Sequence, residues 1–204
     1  MFNSIIAVVV SYLLGSISFS ILFARWLRKI DIRDHGSGNA GATNTLRVLG
    51  KGPAIAVFLL DIAKGSAAVL IGLWLGDGEK WVPVACGLAS IWGHNWPIYF
   101  RFKGGKGIAT TIGALILWAF MPTLIAGIVA IVAIVITRYV SLGSLIFAIL
   151  LPLLFYLYDL ESAYIWGTLV VALLAIFRHR KNIVKLMNGT ENKLGSKKGE
   201  PHGA

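Results

Sequence analysis

Charge is scarce in this 204-residue chain. Charged residues make up 14% of it, against 57% hydrophobic, and only nine are acidic. A soluble domain of this length needs far more polar surface, so that class is excluded. Cysteine is nearly absent. The one thiol, Cys86, lies in an apolar run, which rules out a disulfide and fits a core position. No carboxylate cluster or Cys/His spacing suggests a metal, so neither a metal nor a cofactor is expected. No repeat of 20–50 residues is evident, which removes support for a duplicated transporter. The first apolar run, Phe2 to Phe23, lacks the basic start and small-residue cleavage site of a removed signal peptide and reads as a retained span.

Long apolar runs are what the chain has in plenty, most near the ~20 residues that cross a bilayer core. Seven spans are expected, at about 3–25, 53–76, 81–100, 107–121, 122–138, 141–159 and 162–177. Residues 107–137 carry no charge. That stretch is long for one helix and short for two, and Pro122 offers a break after Met121. Six spans, with one long tilted helix there, is the competing count. Basic residues decide between them. Seven spans with the N-terminus outside put Arg25 to Lys51, Arg101 to Lys106, Arg138 and the run from Arg178 to Lys198 on one side. The other side keeps Lys80 beside Asp77 and Glu79, then Asp159 and Glu161. By the positive-inside rule the basic side, with the C-terminus, is cytoplasmic. The net charge of +10 then follows from topology and anionic lipid, with no nucleic-acid partner.

Three polar segments fall on that face. In the first, "HGSGNAGATNTLR", Gly36-Ser37-Gly38-Asn39-Ala40-Gly41 matches G-x-G-x-x-G. It follows a membrane helix where the dinucleotide fingerprint requires a strand, so the Rossmann reading fails. Gly36, Gly38 and Gly41 still allow amides to turn toward an anion. Ser37, Asn39, Thr43 and Asn44 add neutral polar groups, and Arg47 a fork suited to phosphate. A merely flexible loop is the bland alternative. The second segment, "FKGGKGIATT", is not a P-loop, because Lys106 is followed by Gly107. Gly104, Gly105 and Gly107 nonetheless lead into a helix start whose amides and dipole favour an anion beside Lys106. A positive-inside cluster in a tight turn is the alternative there.

The third segment, "FRHRKNIVKLMNGTEN", reads as a short interfacial helix after the last span. It is basic toward headgroups, with His179 and Asn182 on another face. Within the spans, Asp61 and Lys64 sit three apart and read as a structural ion pair. His94 and Asn95 lie near an aromatic belt of Trp92, Trp96 and Tyr99, where packing and hydrogen bonding suit His94 better than catalysis. The stretch 192–204 is expected to be a disordered basic tail, part of which could be an expression remnant.

Together "GSGNAGATN", "GHNWPIYFRFKGGKGIAT" and "RHRKNIVKLMNGTE" closely resemble, in order, the three signature segments of the bacterial membrane acyl-phosphate:glycerol-3-phosphate acyltransferase family. The resemblance covers residues 1–191. It implies a single all-α polytopic domain of seven transmembrane helices in the bacterial cytoplasmic (inner) membrane, with its active site facing the cytoplasm. The implied reaction moves a fatty acyl group from acyl phosphate to the 1-hydroxyl of sn-glycerol 3-phosphate, giving 1-acylglycerol 3-phosphate and phosphate. By resemblance, Ser37, Arg47, Lys106, His179 and Asn182 hold glycerol phosphate and the reacting centre, and the glycine-rich segments with Asn39, Thr43 and Asn44 hold acyl phosphate. Either His179 or a substrate phosphate serves as base. The H-x-x-x-x-D mark of acyl-CoA-type acyltransferases is missing. An organic-phosphate transporter would need a polar path that the spans lack, and the D-x-x-D-rich metal site of CDP-alcohol transferases is not found.

Overall fold

The computed structural model describes residues 1–195, and these are all-helical with no strands. Nine α-helices follow in order. They are α1 (Phe2–Gly15), α2 (Phe19–Arg28), α3 (Ala42–Leu49), α4 (Lys51–Leu75), α5 (Trp81–Asn95), α6 (Ile108–Trp118), α7 (Phe120–Thr137), α8 (Val140–Leu157) and α9 (Ser162–Met187). Of the seven spans expected, five stretches have the length and apolarity to cross a membrane: Phe2–Arg28, α4, α7, α8 and α9. The other two are shorter. At 1.5 Å per residue, α5 and α6 measure only about 22 and 16 Å, against a hydrocarbon core of about 30 Å.

The first expected span, 3–25, is broken. Ser18 is extended (φ −96°, ψ 93°), and α1 ends at Gly15. A break inside a membrane bundle exposes backbone groups that need partners. The carbonyl of Ile17 finds one in the buried Lys64, whose Nζ donates to it at 2.7 Å. Between α6 and α7 the break falls at Ala119 (φ −160°, ψ 108°), three residues before Pro122. Pro122 occupies the first turn of α7, where an amide has no helical partner and its loss costs little. The third polar segment is no separate interfacial helix. It continues α9, which runs unbroken for 26 residues.

The bundle packs α1 on α5, α4 on α5 and α6, α7 on α8, and α8 on α9. Small residues let backbones meet, as usual where apolar surface is not itself driving association. A Cβ at Gly65 would lie 2.1 Å from the Thr110 carbonyl oxygen, and one at Gly113 2.0 Å from that of Ile62, so α4 and α6 are in backbone contact. The core gathers Val69, Ile91, Leu115, Trp118, Phe147, Leu151 and Phe155. Ile128, Ile131, Val135 and Ile136 of α7 face outward, as apolar residues do against lipid. This packing leaves the segments 29–50 and 96–107 and the end of α9 at one end of the bundle.

Candidate active site

The first polar loop is folded by its own side chains. A 3₁₀ turn, Ile32–Asp34, is capped by Asp31, whose carboxylate accepts from the Arg33 amide (3.0 Å) and from its guanidinium (2.9 and 2.6 Å). That hydrogen bonding holds the Asp31 carboxyl down at about 2. Asp31-Ile32-Arg33-Asp34 is a formal D-x-x-D match after all, but with Asp31 bound to Arg33 in this way it serves the turn. Arg33 Nη1 also donates to the carbonyls of Phe100 (2.9 Å) and Lys103 (3.1 Å), tying this loop to the next.

Asn44 lies at the centre. Its Oδ1 accepts from the Ser37 amide at 2.8 Å, and its Nδ2 donates to the carbonyls of Ile32 and His35, both at 3.0 Å. Both amide hydrogens are thus engaged by carbonyls and none is left for an anion. Asn44, expected at the acyl phosphate, thus staples the loop from a position on the cavity wall. Gly36 (φ +62°) closes the same turn, and a Cβ there would meet Asn44 Oδ1 at 2.2 Å.

The second loop is fixed by its carbonyls. Arg178 donates to Gly105 O (3.0 and 2.5 Å) and Gly104 O (3.2 Å), and its guanidinium carbon stands 5.1 Å from the centre of the Trp96 ring. The Gly105 amide donates to His94 O at 3.0 Å. That amide is therefore engaged within the protein, and close packing is what the structure shows of Gly105. A Cβ at Gly105 would lie 2.2 Å from both the Ala40 oxygen and His94 Nε2. Gly107 (φ +79°) caps α6. The first-turn amides of α6 beside Lys106 make the anion-favouring helix start that the sequence implied.

These loops meet α9 around a cavity of about 570 Å³. Ser37, Gly38, Asn39, Gly41, Thr43, Asn44, Arg47, Gly104, Lys106, Gly107, His179 and Asn182 all line it, and Gly36 and Gly105 stand behind the wall. Lys106 Nζ donates to Asn182 Oδ1 at 2.6 Å, and Asn182 Nδ2 donates to Glu191 Oε1 at 2.7 Å. Ser141 Oγ donates to the same carboxylate oxygen at 2.9 Å. His179 is 2% exposed, with Nδ1 2.8 Å from the Ala175 carbonyl. A carbonyl only accepts, so Nδ1 carries the proton and Nε2 keeps a lone pair.

Lys106 is pushed down to about 8, first by burial, with repulsion from Arg178, Arg47 and Lys185 outweighing part of the pull of Glu191. From the polar end the cavity runs on between α6, α7 and α8, past Ile112, Ala130, Ile131, Ile134 and Phe147.

Arg178, Ser141 and Glu191 were not singled out by sequence. Arg178 looks like one more lipid-facing cation. Glu191 left a signal: it is the lone carboxylate between Arg178 and Lys198. The start of the expected tail is docked too. Leu194 N donates to Arg138 O (2.7 Å), Arg138 donates back to Leu194 O (2.8 and 3.1 Å), and Arg47 reaches Asn192 O at 3.4 Å. The remainder of that expectation, 196–204, lies outside the described residues.

A bundle of membrane-length apolar helices, with cations and amides at one end of a cavity and an apolar annex at the other, defines the class as an integral membrane protein. Comparison with known proteins narrows this. The chain belongs to the glycerol-3-phosphate acyltransferase family, whose model matches residues 5–189. It is 56% identical over 196 residues to the glycerol-3-phosphate acyltransferase of Halalkalibacterium halodurans, covering 94% of this chain and 95% of that one. With the enzyme of Shouchella clausii it shares 57% over 205 residues, covering 97% and 99%. Among solved structures, the glycerol 3-phosphate form of PlsY (YgiH), an integral membrane glycerol 3-phosphate acyltransferase, superposes with a TM-score of 0.89 at 38% identity, over 94% of this chain and 96% of that one. The lysophosphatidic acid form gives 0.86 at 36%, over 94% and 95%.

Proposed function

We propose that the chain transfers a fatty acyl group from acyl phosphate to the 1-hydroxyl of sn-glycerol 3-phosphate at the cytoplasmic face of the bacterial inner membrane, as the first step of phospholipid synthesis. The products are 1-acylglycerol 3-phosphate and inorganic phosphate. One observation carries the reading. A single cavity joins a cationic, amide-rich end (Arg47, Lys106, Asn182) to an apolar annex between α6, α7 and α8. Small phosphorylated heads suit the first and an acyl chain the second. The solved PlsY forms, with glycerol 3-phosphate and with lysophosphatidic acid, support the same acceptor and product here.

In this reading Arg47, Lys106, Asn182 and Ser37 bind glycerol phosphate. The Nε2 lone pair of His179 accepts a hydrogen bond from the attacking hydroxyl and orients it. Asn39, Thr43 and the amides that begin α3 and α6 hold the donor phosphate. The hydroxyl proton ends on the departing phosphate, and because phosphate is a good leaving group no covalent enzyme intermediate is required.

The decisive experiment gives purified protein labelled glycerol 3-phosphate with acyl phosphate, acyl-CoA or acyl carrier protein in separate reactions. Product should form with acyl phosphate alone, and turnover of acyl-CoA by itself would refute the donor. Cysteine labelling at Ser37, Lys103 and Lys185, in a variant with Cys86 replaced, should occur from the cytoplasm only. Labelling of any of the three from outside intact cells would break the topology.

A further inference from the structure

Beneath the phosphate loops lies a polar cluster with no part in the mechanism above. Lys64 Nζ, in a side chain 1% exposed, has three acceptors around it: Asp61 Oδ1 at 2.7 Å, Ile17 O at 2.7 Å and His94 Nδ1 at 3.0 Å. The ammonium is ion-paired with Asp61 and can only donate, so it hydrogen-bonds the Ile17 carbonyl and His94 Nδ1. Thr110 Oγ1 lies 3.3 Å from the same His94 nitrogen, whereas Asp61 is 3.5 Å away. Donors thus crowd Nδ1, which makes it the lone-pair nitrogen and puts the ring proton on Nε2.

That proton is aimed at the site. His94 is 95% buried (5% exposed) yet lines the cavity. Nε2 has no hydrogen-bond partner among the described residues. Glycine at 105 keeps that edge of the ring uncovered, since a Cβ there would fall 2.2 Å from Nε2. With Nδ1 taken by Lys64 and Nε2 protonated, the ring offers the cavity a donor and no base.

We propose that His94 is a catalytic residue whose Nε2–H donates to the acyl carbonyl oxygen as it becomes an oxyanion, with Lys64 and Asp61 as positioning residues that fix the tautomer. The inference rests on the acyl-transfer reading above. The glycerol hydroxyl oxygen bonds to the acyl carbon while the carbonyl π pair moves onto oxygen, where the imidazole donor meets it. Collapse re-forms the carbonyl and breaks the carbon–oxygen bond to phosphate, which leaves with that pair and takes up the hydroxyl proton. A fixed neutral donor in a dry pocket stabilises such charge without reorganising.

The test compares His94→Phe, which keeps a ring without the donor, with His94→Gln, whose amide places an N–H at similar reach. His94→Phe should lower kcat by about 10²-fold or more with little change in KM for glycerol 3-phosphate, and His94→Gln should recover a large part of it. A kcat for His94→Phe near the native value, a loss confined to KM for the acyl donor, or equal inactivity of both variants would each overturn the proposal. Ring ¹⁵N spectra of the native protein, assigned by the signal lost in His94→Gln, test the tautomer without relying on activity. They should show Nε2 protonated and Nδ1 bare, and the opposite tautomer would overturn the proposal. Use of a different acyl donor with the same His94 effect would instead refute the donor assignment and uphold His94.

Discussion

The two glycine-rich loops look alike as sequence and are built in opposite ways. The first, 35–47, is held from inside by the buried Asn44, which leaves Ser37, Asn39, Thr43 and Arg47 facing the cavity. The second, 101–107, is held from outside by guanidinium groups on its carbonyls, Arg33 from the first loop and Arg178 from α9. Its glycines serve close approach as much as chain freedom. Glycine content beside basic residues therefore does not by itself identify anion-binding amides. Here the amides of Ser37 and Gly105 are engaged within the protein, and the site's cationic contacts come from side chains.

That contrast can be broken one residue at a time. The largest effect is expected for Gly105→Ala, because the added carbon would sit 2.2 Å from both the Ala40 oxygen and His94 Nε2. Backbone cannot yield there, so activity should fall by about 10²-fold or more, as when a catalytic donor is displaced. Gly41→Ala is the control. Its φ is −177° and its nearest neighbour would be the flexible Asn39 amide at 3.3 Å. Steady-state assays that find the two variants equally damaged would remove the distinction between packing and lining glycines.

Lys106→Ala comes next. It deletes a charge that reaches into the cavity and bonds Asn182. A charge-assisted hydrogen bond is worth about 1.5–3 kcal/mol, so kcat/KM for glycerol 3-phosphate should drop roughly tenfold or more. The thermal midpoint should hardly move. Asn44→Ala should show the reverse pattern, because it strands the Ser37 amide and the two carbonyls that the Asn44 side chain holds. A loss of about 1–3 kcal/mol in stability is expected, with a smaller effect on substrate affinity. A pure KM effect in Asn44→Ala, with an unchanged melt, would restore it as a ligand.

The mildest effect is one of pH. Lys106, pushed down to about 8 chiefly by burial, is mostly charged at pH 7 and largely neutral at pH 9. Above the substrate phosphate's own ionisation at ~6, KM for glycerol 3-phosphate should rise through pH 8 toward the Lys106→Ala value. In Lys106→Arg that rise should vanish. Persistence of the same rise in the arginine variant would assign it to another group.

The membrane class, the helical fold, the family and most of the cavity-lining polar residues were legible in the sequence, because each rests on local properties. Apolar run length reports a membrane-crossing bundle, and glycines next to cations and amides mark the polar end of its cavity. Long-range geometry was not legible. The broken first helix at 16–18 depends on Lys64 of α4 reaching the Ile17 carbonyl, 47 residues away in sequence. α6 ends at Trp118, ahead of Met121, where the Thr123 hydroxyl of α7 donates toward the carbonyls of Leu115 (3.1 Å) and Ala119 (2.7 Å).

What the sequence by itself determined is which residue types were present and in what order, and hence that three polar segments share an end of a membrane bundle. Only tertiary structure decided what each polar atom does there. Asn44 and Asn182 are both asparagines in signature segments, yet one has its donors engaged by loop carbonyls and the other faces the cavity between Lys106 and Glu191. Arg178 and Arg47 are both arginines on one face, and both line the cavity, yet one clamps a loop with three short bonds and the other makes one 3.4 Å contact to Asn192 O. The physical reason is that a buried hydrogen-bonding group must be satisfied. Its partner is whichever atom packing brings within about 3 Å, and sequence separation does not limit that choice.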